Sequence, residues 1–166
     1  MGNYGAPSDI RGKHMSVNPI PAGYHTVTPY LIVKDAAKLI VFLQKAFDAK
    51  EMSPPMKGPD GTIHHAEIMI GNSPIMLSEA TAEHPPMPTM LYLYVDDVDA
   101  VYKKAIAAGG MSVREPENQF YGDRSGGVID HCGNQWWVGT HVEDVPPEEL
   151  GKRAATAAKE KHAAKA

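Results

Sequence analysis

Tyr30-Leu31-Ile32-Val33-Lys34-Asp35 recurs further along the chain as Tyr92-Leu93-Tyr94-Val95-Asp96-Asp97, and this repeat decides the fold. Each copy is a short run rich in β-branched and aromatic residues that ends on an aspartate suited to cap a helix. After Asp35 the apolar residues Leu39, Phe42, Leu43, Ala46 and Phe47 keep helical spacing, and after Asp97 so do Val98, Val101, Tyr102, Ala105 and Ile106. The second helix is expected to stop at Gly109-Gly110 and the first near Phe47-Asp48.

Outward from these units, each half closes with a hairpin. Ile63–Ile70 and Pro74–Ser78 flank Gly71-Asn72-Ser73, and Gly127–Ile129 and Trp136–Thr140 flank His131-Cys132-Gly133-Asn134. The shared Gly-Asn pair tolerates the positive φ that tight hairpins demand. Strand, helix, then several strands, given twice, predicts an α+β fold of two βαβββ modules. The modules span about 26–79 and 89–141 and together form a curved eight-strand mixed sheet, with helices on the convex face and a concavity inside. Residues 54–61 and 85–89 read as surface loops, the second joining the modules, within one domain over 15–150.

The ends read differently. Residues 1–14 mix Gly, Asn, Pro and Ser without an apolar period, and Lys13-His14-Met15 resembles a cloning junction, so 1–14 is set aside as a leader. Residues 144–166 read as a C-terminal helix and tail: Asp144 as cap, then Pro146-Pro147-Glu148-Glu149, then Ala- and Lys-rich sequence. Hydrophobic residues at 43% and charged residues at 22% are ordinary globular composition. A formal net charge of −4 gives no reason to expect nucleic acid or an anionic membrane as partner. No apolar run reaches the roughly 18 residues of a membrane span. The single cysteine, Cys132, excludes an internal disulfide framework and suits a cytoplasmic location.

Several local strings share a likeness. Thr28-Pro29-Tyr30-Leu31 precedes the first helix, and His65-Ala66-Glu67-Ile68, Gly71-Asn72-Ser73 and Met76-Leu77-Ser78 make the first hairpin. Tyr121-Gly122-Asp123-Arg124, Asp130, Gly133-Asn134, Trp136 and Thr140-His141-Val142-Glu143-Asp144-Val145 make the closing stretch. Together, over about 21–150, they resemble the PhnB-like branch of the vicinal-oxygen-chelate superfamily, the fold of glyoxalases, bleomycin-resistance proteins and extradiol dioxygenases. The resemblance implies metal ligands on the inner face of four strands, one per strand. Carried over, those positions hold Thr28, Met76, Met90 and Trp137; a register shifted by one gives Pro29, Ile75, Leu91 and Trp136. Neither set contains a His, Asp or Glu, so no metal cofactor is expected at the family's positions.

A two-residue turn at Gly71-Asn72 sets Glu67 opposite Met76 and His65 opposite Ser78, and sends Ala66, Ile68, Ile75 and Leu77 to the helix side. His65 and Glu67 then face the concavity, where three readings stay open: hydrogen bonds in a polar wall, an acid–base pair, or part of an unusual metal site. Met90, Tyr92 and Tyr94 alternate against Leu91, Leu93 and Val95. With Tyr30, Met76 and Trp137 they either line a pocket for a flat or greasy ligand or simply fill the cup. Gln119, Tyr121, Asp123 and Arg124 lie in a polar segment at the pocket mouth. There Arg124 either clamps a carboxylate or phosphonate or pairs with Asp123 or Asp130. His25, His64, His84, His141 and His162 share no motif, and no nucleophile motif or phosphate-cradling glycine loop is present.

The expectation is therefore a homodimeric binder of a small molecule, like the bleomycin-resistance proteins that hold a drug between two cups. His65, Glu67, Met90, Tyr92 and Trp137 are expected to line one cavity. The alternatives are a lyase or isomerase using His65 and Glu67, and a domain kept for assembly with a filled cup.

Overall fold

The computed structural model describes residues 17–163, so the expected leader at 1–14 and the end of the tail lie outside the described residues. The elements run β1 (Tyr30–Val33), α1 (Ala36–Phe47), β2 (Lys50–Glu51), β3 (Met56–Lys57), β4 (Ile63–Ile70) and β5 (Ser73–Glu79). They continue β6 (Met90–Tyr94), α2 (Val98–Ala107), β7 (Met111–Asn118), β8 (Asp123–Ile129), β9 (Gln135–His141) and α3 (Pro147–Ala163). This is an α+β fold, and strand–helix–strands is indeed given twice.

The repeated aspartates start the helices. Asp35 accepts from Lys38 N at 3.4 Å and Asp97 from Ala100 N at 3.0 Å. Glu79, at the end of β5, reinforces the first: its two oxygens accept from Asp35 N and Ala36 N, each at 2.8 Å. A carboxylate on two otherwise unpaired helix N–H groups also complements the helix dipole. Asp35 holds φ 61 there and Asp48 holds φ 53 after α1, a left-handed conformation that Asp tolerates better than most residues.

The strands form two sheets rather than the single eight-strand sheet expected. The first has five strands, ordered β1-β5-β4-β2 with β3 also on β4; the second has four, ordered β6-β9-β8-β7. β1 pairs β5 and β6 pairs β9 in parallel, and the other pairs are antiparallel. The two leading strands, β1 and β6, are edge strands of different sheets and do not pair with each other. Part of the outer edge of β1 is taken by the connecting loop, where Met87 N donates to Ile32 O at 3.0 Å. The stretch 54–61, read as loop, contains β3, which pairs with β4 beside His65.

The first hairpin keeps its predicted register. Ile70 pairs with Ser73 around Gly71-Asn72, and Glu67 pairs with Met76. Gly71 sits at φ 57, the conformation the turn needs. The even-numbered Ala66 and Ile68, with Ile75 and Leu77, are buried against α1, and Leu31 and Val33 of β1 join the same core. On the second sheet Val128, Trp136 and Val138 do the same beneath α2. The helices pack on one another and the Phe47 ring lies 5.2 Å from that of Trp136, so both modules share one core. Burial of each large side chain stabilises the fold by about 1.5–3 kcal/mol.

The loop after β8 is built around buried Asp130, which accepts from Cys132 N, Asn134 N, Asn134 Nδ2 and Trp136 Nε1 at 2.8–3.0 Å. At the far end α3 starts on Pro147 with Glu148 and Glu149 in its first turn. Asp144 is not its cap; the helix starts later, and Asp144 accepts from His141 Nε2 at 3.0 Å instead. Among the described residues no helix is long and apolar enough to cross a membrane.

Candidate functional site

With helices covering one face of each sheet, side chains of opposite parity are left on the other. On the first sheet Tyr30, Met76 and Glu67 stand in one row across β1, β5 and β4. His65 sits beside them. Its Nε2 lies 3.5 Å from Glu67 Oε1 and its Nδ1 3.2 Å from Tyr30 Oη, with the two rings tilted at 33°. A proton on Nε2, donated to Glu67, leaves Nδ1 to accept from the Tyr30 hydroxyl. Ser53 Oγ donates to Glu67 Oε2 at 3.3 Å. Tyr24 Oη is buried near the same carboxylate and, although it makes no hydrogen bond of good geometry, the two groups perturb each other. Glu67 is held below the usual carboxylate range by Tyr24 first, then by His65 and Ser53, against the opposing effect of burial. The Tyr24 phenol is pushed up to about 12 by Glu67 and by burial. The result is a half-buried chain Tyr30–His65–Glu67 open to solvent.

The second sheet presents a different wall. A row crosses all four strands as Arg114–Gly127–Trp137–Tyr92. Gly127 and Gly139 have a shared purpose. A Cβ on Gly127 would lie 3.0 Å from the Trp137 ring, and one on Gly139 would lie 2.3 Å from Tyr92 Oη. Glycine at both lets the indole and the phenol lie flat on the sheet. Gln135 Oε1 accepts from Trp137 Nε1 at 3.2 Å, and the Arg114 guanidinium stands 4.7 Å from the Trp137 ring centre. Tyr92 and Tyr94 are 5.1 Å apart, centre to centre, and both donate to buried Asp123, at 3.4 and 2.9 Å. The third donor to Asp123 is His141 Nδ1 at 2.8 Å. The imidazole, set between Asp123 and Asp144, has its pKa raised above the ordinary value, by Asp123 first and Asp144 second. Burial, above all, pushes the Tyr92 phenol up to about 12.

The predicted site residues thus fall into separate groups. Tyr30, His65, Glu67 and Met76 come together on the first sheet, and Met90, Tyr92, Tyr94 and Trp137 on the second. Within one chain they do not line the shared cavity expected of them, because the sheets turn their open faces away from a common helix core. A cleft of about 890 Å³ between the β4–β5 turn and β6 takes in only Tyr92 and Tyr94 from both groups. Arg124 is elsewhere. Its parity is opposite to that of Asp123, and it bonds Asp99 of α2 bidentately at 2.7 and 2.8 Å, so neither the ligand clamp nor the Asp123 or Asp130 pairing is formed. Gln119 lies in the β7–β8 turn, bonded to Glu117, and Tyr121 packs edge-on against Phe120 there. The sequence alone did not reveal Arg114, nor His141 and Asp123 as a pair. The signal for that pair was the alternation of β8 and β9 extended outward, which sets Asp123 opposite His141.

Residues 23–138 match the Glyoxalase/Bleomycin resistance protein/Dioxygenase superfamily. The chain belongs to that superfamily. An uncharacterized protein of Mycobacterium tuberculosis, Rv0887c, is 36% identical over 154 residues, covering 84% of this chain and 86% of the relative. Among solved structures, TioX from Micromonospora sp. ML1 is similar with a TM-score of 0.59 at 22% identity, over 70% of this chain and 98% of that one. TnmS3, an antibiotic binding protein from Streptomyces sp. CB03234, gives 0.57 at 21% identity, over 77% and 99%. The fosfomycin resistance protein FosX of Listeria monocytogenes gives 0.52 at 20%, over 76% and 97%. At such identities these structures share the fold alone.

Superfamily members that use a metal need imidazole or carboxylate donors converging on it. Here the carried-over positions do not fit one. Thr28 Oγ donates to His25 O at 3.1 Å, Met76 and Met90 offer thioethers, and Trp137 offers only an N–H, already given to Gln135.

Proposed function

We propose that this superfamily member, of the PhnB-like branch, binds a small planar molecule in the cytoplasm without a metal cofactor at the family's positions. The observation that carries the reading is the second sheet's open face: Trp137 and Tyr92 laid flat over glycines, with Tyr94 beside them. Tyr94 is 68% and Met90 65% exposed, a large apolar and aromatic area to leave in water. Such a surface supplies affinity through stacking, while a few polar groups fix orientation. The fold shared with TnmS3, an antibiotic binding protein, supports the same class of ligand.

The polar complement is the Tyr30–His65–Glu67 chain, and the site is completed in a homodimer. One protomer's first sheet faces its partner's second sheet, so that His65 and Glu67 meet Trp137 and Tyr92 across the interface. The two outward faces and the unpaired strand edges favour this arrangement, since water-exposed edges and apolar faces are liabilities in a monomer. Native mass spectrometry on protein purified without chelator tests the whole reading. The expected result is dimer mass with a small molecule carried over or taken up from a panel of planar antibiotics, lost on Trp137→Ala. A monomer that takes up none of them would refute it.

A second reading has one observation in its favour. His65 is bonded on both sides, as a proton-transfer group positioned between a hydroxyl and a carboxylate would be. On that reading the protein is a lyase or isomerase, and Glu67→Gln abolishes turnover while ligand uptake persists.

A further inference from the structure

We propose that the corner formed by Arg114 and Trp137 is a subsite for an anionic oxygen, a carboxylate or phenolate, carried on the ligand's planar ring. The inference rests on the reading of the second sheet as a ligand shelf and adds what charge that ligand bears.

Arg114 lies in β7 where the ladder to β8 is irregular on both sides, between Ser112 and Arg114 and between Arg114 and Glu117. A bulged strand re-aims its side chains. Arg114 is thereby set opposite Gly127, the same glycine over which Trp137 lies. With no side chain between them, guanidinium and indole share that space at 4.7 Å.

The guanidinium is fixed but not used up. Nη2 donates to Ser125 Oγ at 2.8 Å and Ser125 O at 3.3 Å, which sets its plane. Nε is buried and makes no hydrogen bond of good geometry; it is ion-paired at 3.5 Å with Glu117 Oε1, on a side chain that is 60% exposed, a pairing worth little in water. Nη1 has no hydrogen-bond partner among the described residues. A partly buried cation with spare donors favours an anion, and a planar guanidinium favours a planar one held by paired hydrogen bonds.

The acids of this face do not fill the corner. Glu117 meets only Nε, at 3.5 Å and from a side chain that is 60% exposed, and buried Asp123 is occupied by Tyr92, Tyr94 and His141. It positions the tyrosines and leaves Arg114 as the group that meets ligand charge. A ring stacked on Trp137 and directed along the row therefore brings a ring substituent to Arg114.

Titration calorimetry of the full-length protein with 2-naphthoate and its neutral counterpart 2-naphthamide tests this. Naphthoate is expected to bind about tenfold or more tightly than the amide, an advantage that shrinks as salt is raised. Arg114→Gln should bring naphthoate down to the level of the amide, and Arg114→Lys should restore part of the difference. Equal affinities in the wild-type protein, where no variant has to fold, overturn the anion subsite and leave the shelf standing. So does a naphthoate preference that survives in Arg114→Gln. Binding of neither compound sinks the shelf and the subsite together.

Discussion

On the first sheet the row Tyr30–Met76–Glu67 crosses the strands, and on the second the matching row of the repeat reads Tyr92–Trp137–Gly127. The ladders are the same; the walls are not. Where one module carries a carboxylate the other carries no side chain, and the space goes to an indole lying flat. One row further, Ser125 pairs with Gly139 opposite Tyr94, and the space over this second glycine is taken by the Tyr92 ring. Module one has become a chain of proton-bearing groups and module two a stacking surface. The difference is made by residues on the two strands of a hairpin, while the strand–cap–helix unit stays recognisable in both.

The contrast continues on the buried face, where the largest effect is expected. Ile75 and Trp136 precede Met76 and Trp137 and point into the core. Trp136 touches Phe47 of the other module and donates to Asp130. Trp136→Ala should lose about 3–5 kcal/mol in urea unfolding, against about 0.5–1.5 kcal/mol for Ile75→Val. A loss below about 1 kcal/mol for the tryptophan would show that the modules are not joined through it.

Gly127→Ala should come next. Its Cβ would stand 3.0–3.1 Å from three ring atoms of Trp137, and an indole pinned by Gln135 has to lift. The expected cost is about 1–3 kcal/mol, with a shift in tryptophan emission and weaker uptake of planar ligands. Glu67→Ala, at the matching place on the first sheet, should leave that emission unchanged in the free protein. If both substitutions behave alike, the glycine floor is not what separates the walls.

Much of this was legible in the sequence because it rests on period and turn chemistry. The repeated Asp caps, the two-residue turn at Gly71-Asn72 and the parity that sends His65, Glu67, Tyr92 and Trp137 away from the helix side are all local. The split into two sheets was not, since it depends on where β6 is carried after the loop at 80–89. Arg114 was hidden by a strand whose polar composition, Met-Ser-Val-Arg-Glu-Pro-Glu-Asn, gives no clean alternation. His141 and Asp123 meet only when β8 and β9 are extended past their apolar centres. Arg124 was placed at the pocket because its neighbours are polar, yet a period of two sends it to the helix side.

A smaller effect distinguishes the uses of the polar wall. Glu67→Gln keeps the shape but removes the charge that holds His65. If the wall orients a ligand, binding should weaken by about 1–2 kcal/mol with the fold intact, read by calorimetry. If it moves protons, turnover disappears and affinity hardly changes. A variant with unaltered binding and no activity to lose would leave the first sheet's polar chain without a part in either role.

The smallest effect is in pH, and the two walls should respond in opposite directions. His141 on the second sheet has its pKa raised above 6.5, by the hydrogen bond to Asp123 and then by that to Asp144. A raised value means that its contribution is full below about pH 6.5 and is lost as the pH rises through the raised value. Glu67 on the first sheet has its pKa lowered from 4.5, by Tyr24 foremost. A lowered value means that its contribution is present above about pH 4.5 and is lost as the pH falls through the lowered one. Mild alkali should therefore loosen the His141 tether while leaving Glu67 untouched, and acid should do the reverse. His141 is half exposed, so solvent screens the effect and keeps it small. An NMR titration of the His141 ring should give a midpoint above the ordinary histidine value, lowered more by Asp123→Asn than by Asp144→Asn, because Asp144 is fully exposed. A midpoint at or below the ordinary value would mean that Asp123 is committed to the tyrosines alone, and that the second wall is held without help from the histidine.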